Sequence, residues 1–77
     1  MTQTTVRDHT VNLKVNGSAR EIPAGSTIAD LLAALEIDAR MVVVEHNGEI
    51  VRDRAVFATR SLGSGDRLEI VHFVGGG

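Results

Sequence analysis

Three glycines, Gly75 to Gly77, stand at the end of the printed sequence and could take part in chemistry. Without a Cβ they fit a narrow channel and adopt backbone angles closed to other residues. A terminal carboxylate has a pKa of about 3.5 and is ionised at neutral pH. It can attack the α-phosphate of ATP, and the acyl-adenylate formed is then open to a sulfur or nitrogen nucleophile.

We therefore expect residues 75–77 to form a flexible tail that another protein's active site receives. Gly77 would be the reacting residue, and Gly76 would be its narrow neighbour. The alternative is a frayed end without a function, since chain ends tolerate many sequences.

The rest of the chain offers little sign of a catalytic or metal site. His9, His46 and His72 lack metal-ligand spacing, so we predict satisfied or solvated histidines and no metal. The Gly63–Gly65 segment indicates a turn, because a phosphate loop needs a lysine and a following helix. We expect the carboxylates to be dispersed along exposed faces, which disfavours an acid/base pair. We expect a protein that partner enzymes act on, and not an enzyme.

The composition is that of one small globular domain. The chain has 77 residues, 43% of them hydrophobic, and eight Lys and Arg against ten Asp and Glu give a net charge of −2. This balance disfavours nucleic acid and anionic membranes as partners. There is no cysteine, which fits a cytoplasmic location. Residues 1–9 are mostly polar, and we predict a disordered extension there.

The first elements are predicted from alternation and turn signals. Val11, Leu13 and Val15 alternate with polar residues, as in a half-buried strand. Asn16-Gly17 is a strong hairpin signal, and it is followed by a short second strand.

One amphipathic helix is predicted next. Its apolar residues recur at helical spacing, at Ile28, Leu31, Leu32 and Leu35. Thr27 and Asp30 have the spacing of a capping box, which places the helix start just after Thr27. We expect the helix to close around Asp38.

Three further segments complete the predicted sheet. Val42 to Val44 are three consecutive valines, which favours a central strand covered on both faces. Asn47-Gly48 predicts a second hairpin, residues 52–62 an irregular crossing, and residues 67–74 the last strand. One helix on one face of a mixed sheet of four to five strands is a two-layer α+β domain, here residues 10–74.

The last strand also indicates a docking surface. If Leu68 and Ile70 point to the helix, Val71 and Phe73 point away from it. Two large apolar groups beside the glycines favour a partner contact. We predict partner binding at Val71, Phe73, Val74 and Gly75. The alternative is that the crossing segment folds over Phe73 and buries it.

Most of the chain, residues 11–77, resembles the ThiS family of thiamine-biosynthesis sulfur carriers. The resemblance rests on "GDRLEIVHFVGGG", together with "VNLKVNG", "STIADLL" and "VVVEHNGEIV". It implies a β-grasp, or ubiquitin-like, fold. It also implies that an E1-like adenylyltransferase of ThiF type adenylates Gly77 with ATP. A sulfur donor protein then supplies the sulfur of a thiocarboxylate, which a ThiG-type thiazole synthase consumes. No bound cofactor is implied.

Two positions depart from the family pattern. Arg52 stands where a proline is common, and Phe57 stands where a tryptophan is usual. Both departures concern the scaffold and not the glycines. Three alternatives remain open: the small subunit of molybdopterin synthase, a ubiquitin-like modifier, and a β-grasp binding module that makes no use of its tail.

Overall fold

The computed structural model describes residues 9–73, which form one sheet with one α-helix packed on one of its faces. The strand order is β2-β1-β5-β3-β4; β1 and β5 are parallel, and the other neighbouring pairs are antiparallel. This confirms the predicted two-layer α+β architecture with a mixed sheet. The elements are β1 Thr10–Val15, β2 Ser18–Pro23, α1 Ile28–Ala34, a 3₁₀ helix Ala39–Met41, β3 Val42–His46, β4 Glu49–Ile50, a second 3₁₀ helix Arg54–Ala58 and β5 Arg67–His72.

Both Asn-Gly pairs form the predicted hairpin turns. Asn16 and Gly17 have φ angles of 51° and 85°, and Asn47 and Gly48 have φ angles of 52° and 87°. Two successive residues with positive φ match the twist of the flanking strands. Asparagine and glycine tolerate this left-handed region best, so the local sequence specifies both turns.

The helix begins where the capping box predicts and ends earlier than expected. The Thr27 hydroxyl accepts from the Asp30 amide at 3.2 Å, and the Asp30 carboxylate accepts from the Thr27 amide at 2.9 Å. At the other end Leu35 is the C-cap, and Glu36 adopts a φ of 60°. The expected closure around Asp38 was therefore wrong. Asp38 instead caps the first 3₁₀ helix, where its side chain accepts from the Arg40 amide.

The core lies between α1 and the sheet. The predicted helix stripe is confirmed, because Ile28, Leu31 and Leu32 are at most 2% exposed, while Leu35 at the helix end is half-buried. The core residues that the sheet and the crossing segment supply are Leu13, Val15, Ile22, Val42, Val44, Val51, Phe57, Leu62, Leu68 and Ile70.

The three valines of β3 were expected to lie in a central strand covered on both faces, and the structure corrects this expectation. Val42 and Val44 are buried under α1, but Val43 on the opposite face is only half-buried. The middle strand of the sheet is β5, and β3 lies between β5 and β4. Consecutive β-branched residues favour a strand, but they do not require both of its faces to be covered.

The structure describes residues 9–73, and the predicted domain was residues 10–74. β1, the first described strand, begins at Thr10. Residues 1–8, Val74 and the glycines 75–77 lie outside the described residues, so the predicted extension and tail remain predictions.

Candidate functional site

The last strand turns two large apolar side chains away from the helix. Leu68 and Ile70 are buried, whereas Val71 is 60% exposed and Phe73 is 52% exposed. The crossing segment buries Phe57, which is 3% exposed, and leaves Phe73 at the surface. The structure therefore excludes the alternative in which Phe73 belongs to the core. The role of Val71 and Phe73 in docking stays a prediction.

Phe73 is fixed by its backbone and by one arginine. Its amide donates a hydrogen bond of 2.9 Å to the Met41 carbonyl, which extends the pairing of β5 with β3. The Arg54 guanidinium lies over the ring, with its central carbon 6.0 Å from the ring centroid, within range of a cation–π interaction. The residue that precedes Val74 and the glycines is thus held in a defined place.

Arg54 also joins the crossing segment to the start of β3. Its Nε donates to the Ala39 carbonyl at 3.0 Å, and one terminal nitrogen donates to the carbonyls of Val42 at 3.3 Å and Arg40 at 3.4 Å. These carbonyls lie where the 3₁₀ helix passes into β3. Sequence reasoning did not single out Arg54, because its partners are backbone atoms that the sequence pattern does not reveal.

A surface groove of about 350 Å³ opens beside Phe73. Its lining comes from β3, from β4 and the residue after it, from the crossing segment and from Phe73. We call this feature the groove; its lining residues are Val42, Val43, Ile50, Val51, Arg52, Arg54, Phe57 and Phe73. The lining is mainly apolar, and two arginines lie on the side of the crossing segment. Such a cleft fits an apolar side chain of a partner.

Cross-strand register sets a charge pattern on the sheet face away from α1, which we call the open face. Val43 lies opposite Val71, and Glu45 lies opposite Glu69. Ile50 is the partner of Glu45 on the other side and is 43% exposed. Because paired residues share a face of the sheet, two carboxylates lie side by side next to an apolar patch. The sequence interpretation, which considered the carboxylates dispersed, missed this pair.

A polar cluster around Asp66 lies at the opposite end of β5. One Asp66 oxygen is 2.8 Å from His46 Nε2 and accepts from the Gly63 amide at 2.8 Å, and the other accepts from the Asn47 side chain at 3.1 Å. Burial alone would raise the pKa of Asp66, but hydrogen bonds from Gly63, His46 and Asn47 lower it below its ordinary value. The His46 side chain thus has a hydrogen-bond partner, as predicted for a satisfied histidine. The cluster connects the turn after β3 with the turn before β5.

A second shifted carboxyl belongs to Asp38. The side-chain hydrogen bond from Arg40, with a second from the Arg40 amide, lowers the pKa of Asp38 to about 2, and the same contact raises the pKa of Arg40. The pair is solvent-exposed, where an ion pair contributes little to stability.

The described residues contain no group of three or more metal-ligating side chains. Within residues 9–73, no helix has the length and apolar character needed to cross a membrane. The predicted reacting residues, Gly76 and Gly77, and the predicted contacts Val74 and Gly75 lie outside the described residues. Phe73, which lines the groove, immediately precedes this segment in the sequence.

The family model of the ThiS family matches residues 13–77. The sulfur carrier protein ThiS of Bacillus subtilis is 45% identical over 51 residues, which cover 66% of this chain and 76% of that protein. A thiazole synthase of Paramagnetospirillum magneticum is 43% identical over 67 residues, which cover 87% of this chain and 20% of that protein. The chain thus spans about a fifth of the length of the thiazole synthases that it matches.

A solved structure supports the fold. The crystal structure of a thiamine biosynthesis protein (ThiS) from Geobacter metallireducens superposes with a TM-score of 0.74 at 36% identity. The similarity covers 87% of this chain and 100% of that one. The five-stranded mixed sheet with one helix is therefore a β-grasp fold, as the resemblance implied.

Proposed function

The chain belongs to the ThiS family of thiamine-biosynthesis sulfur carriers, and on that premise we propose that it carries sulfur as a thiocarboxylate at Gly77. The observation that carries the proposal is the similarity to a sulfur carrier protein over three quarters of that protein's length. The family match extends to Gly77 and so includes the proposed reacting residue.

The proposed chemistry has two steps, and partner enzymes catalyse both. In the first, a carboxylate oxygen of Gly77 attacks the α-phosphate of ATP, and pyrophosphate leaves. In the second, a sulfur nucleophile at the oxidation level of sulfide attacks the acyl carbon and displaces AMP, which leaves a thiocarboxylate. The chain is thus a cosubstrate, and ATP belongs to the activating enzyme of ThiF type.

The sulfur then passes to a thiazole synthase, which we propose as the second partner. The similarity to thiazole synthases supports this choice over molybdopterin synthase and over a conjugated modifier. A protein that delivers sulfur must present its end to two different enzymes in turn. A slim glycine end suits such a role, because it enters a narrow channel without a side chain.

Intact-mass spectrometry tests the proposed chemistry. The chain is incubated with a purified ThiF-type enzyme, ATP and a sulfide donor. Its mass should rise by the difference between one sulfur and one oxygen atom. One residue added after Gly77 should abolish the change, and one residue added at the other end should not. Equal conversion of the variant extended after Gly77 would refute the assignment. The mass of the protein isolated from its native cells shows whether it ends at Gly77.

Docking is the second part of the proposal, with Val71, Phe73, Val74 and Gly75 as contacts. The two phenylalanines of the chain provide a matched test. Phe73→Ser should leave the melting temperature nearly unchanged and raise the KM for adenylation, because the ring is half-exposed. Phe57→Ser should unfold the domain, because Phe57 is buried. If Phe73→Ser were adenylated with an unchanged KM, the docking surface would lie elsewhere.

A further inference from the structure

The groove contains two arginines that no carboxylate neutralises within the described residues. Arg52 and Arg54 line it, and all the other lining residues are apolar. Neither arginine takes part in any ion pair found among residues 9–73. Two positive charges that converge on an apolar cleft attract an anion, because the low-dielectric walls strengthen their field.

The carboxylates closest along the chain and across the strands do not line the groove. Asp53 stands between the two arginines in sequence, but its side chain accepts from the Ala55 amide and caps the second 3₁₀ helix. Glu45 is the cross-strand partner of Ile50, and it is likewise absent from the lining. Within residues 9–73, the groove is therefore lined by positive charge without negative charge.

Arg54 is held in one orientation, and part of its guanidinium remains for a ligand. Its Nε and Nη2 donate to the carbonyls of Ala39, Arg40 and Val42. A guanidinium has five N–H donors, and no acceptor for the two on Nη1 is found in the part of the chain that the structure describes. Because the three carbonyls already fix the group, a ligand would bind it without the entropic cost of ordering a long side chain.

Arg52 supplies the second charge from the stretch after β4. Its side chain is exposed, and no hydrogen bond of it is found among the described residues. Arg52 also stands where a proline is common in the resembling family. The pair of arginines is thus a feature of chains that have an arginine at this position.

Apolar side chains, some buried and some exposed, line the rest of the groove. Val51 and Phe57 are 8% and 3% exposed, whereas Ile50 and Phe73 are 43% and 52% exposed. The volume of about 350 Å³ lies at the small end of the range of ligand sites, about 300–1,000 Å³. A cleft of this size and lining fits one small ring beside the Phe73 side chain.

We propose that the groove binds a small phosphate monoester with an apolar ring, in which Arg52 and Arg54 hold the phosphate and the ring packs beside Phe73. A phosphate monoester carries a charge of about −1.5 to −2 at pH 7, which balances two arginines better than one carboxylate does. Arginine also presents paired N–H donors that match phosphate oxygens. This site goes beyond the proposed function, and its ligand would cover the residue that immediately precedes Val74 and the glycines.

Phenyl phosphate is the probe, and an NMR titration of the isotope-labelled chain measures its binding. The amide signals of Val43, Val51 and Phe73 should shift and saturate with a Kd in about the millimolar range, as expected for a ligand of this size. Inorganic phosphate lacks the ring and phenol lacks the charge, so each should bind at least about tenfold more weakly. Equal affinity for either control, or shifts confined to other parts of the sheet, would overturn the inference.

Arg52→Gln is the test variant, because no hydrogen bond of Arg52 found among the described residues supports the fold. Its melting temperature should be nearly unchanged, and its affinity for phenyl phosphate should fall by about tenfold or more, since a charge-assisted contact is lost. Arg52→Lys keeps the charge and should restore part of the affinity. Arg20→Gln, at an exposed position on β2, makes the same change in net charge and should bind as the unaltered chain does.

Two outcomes with these variants would overturn the inference. Undiminished binding by Arg52→Gln would show that this arginine does not hold the phosphate. An equal loss in Arg20→Gln would show that net charge alone decides the affinity. Because the titration uses the chain without any partner enzyme, its result is independent of the mass measurement that decides the proposed function.

Discussion

Asp66 is the polar residue whose replacement should cost the domain most. Its carboxylate receives three hydrogen bonds, from His46, the Gly63 amide and Asn47. The side chains of Asp66 and His46 are only 20% and 11% exposed. Hydrogen bonds to a charged group contribute about 1.5–3 kcal/mol each when their partner is lost. Asp66→Asn keeps one oxygen acceptor and loses the charge, so we expect a loss of about 2–4 kcal/mol.

This loss is large for a domain of this size. At about 0.05–0.15 kcal/mol per residue, the whole chain has about 4–12 kcal/mol of stability. One kcal/mol shifts the melting temperature of such a domain by about 4–8 °C. Urea unfolding at neutral pH measures the loss directly. Asp53→Asn is the control, because Asp53 is exposed and accepts one hydrogen bond, from the Ala55 amide, that asparagine can also accept.

The pH dependence of the same variant gives an independent check. The pKa of Asp66 is lower in the folded protein than its ordinary value of 3.8. A depressed carboxyl pKa stabilises the fold above the unfolded value, and this stabilisation is lost as the pH falls through the folded value. The difference in unfolding free energy between the two proteins should therefore narrow as the pH falls below about 5. A difference that stays constant with pH, or one below about 0.5 kcal/mol, would refute the reasoning.

Two further predictions concern the core and a turn. Leu32→Ala should destabilise the domain by about 2–5 kcal/mol in urea unfolding, because Leu32 is 2% exposed; Leu35→Ala, at a half-buried position, should cost less. A loss below about 0.5 kcal/mol would mean that the helix stripe does not face the core. Gly48→Ala should cost about 1–2 kcal/mol from backbone strain alone, because its φ is 87° and no atom crowds the added methyl group. Gly63→Ala, whose φ is not in the left-handed region, is the control, and an equal cost for both would contradict the strain argument.

Local signals in the sequence predicted the elements whose causes are local. Each Asn-Gly pair specifies its own turn through positive φ angles. Thr27 and Asp30 specify the helix start through two hydrogen bonds within one turn. The helix end was missed because Glu36, and not a glycine, takes the left-handed conformation there.

Features set by long-range pairing could not be read from the sequence. Glu45 and Glu69 meet only because β3 and β5 pair in one register. The groove depends on the crossing segment, whose irregular sequence gave no period. The exposure of Phe73 was likewise undecided until the structure showed that Phe57 is the aromatic that the crossing segment buries.

The position of β5 has a consequence for how the protein is made. It comes last in sequence among the described strands, yet it lies in the middle of the sheet between β1 and β3. Until it is synthesised, the β1–β2 hairpin and the β3–β4 hairpin have no strand to join them. At about 5–20 residues per second, the ribosome leaves Leu31 and Leu32 without the buried residues of β5 for several seconds.

Closure of the sheet and assembly of the groove are consequently one event. Phe73 reaches its place beside Met41 only when β5 has paired with β3. A nascent or unfolded chain carries the same glycines but has no groove beside them. A partner that recognised the groove would therefore meet it only on chains that have finished folding.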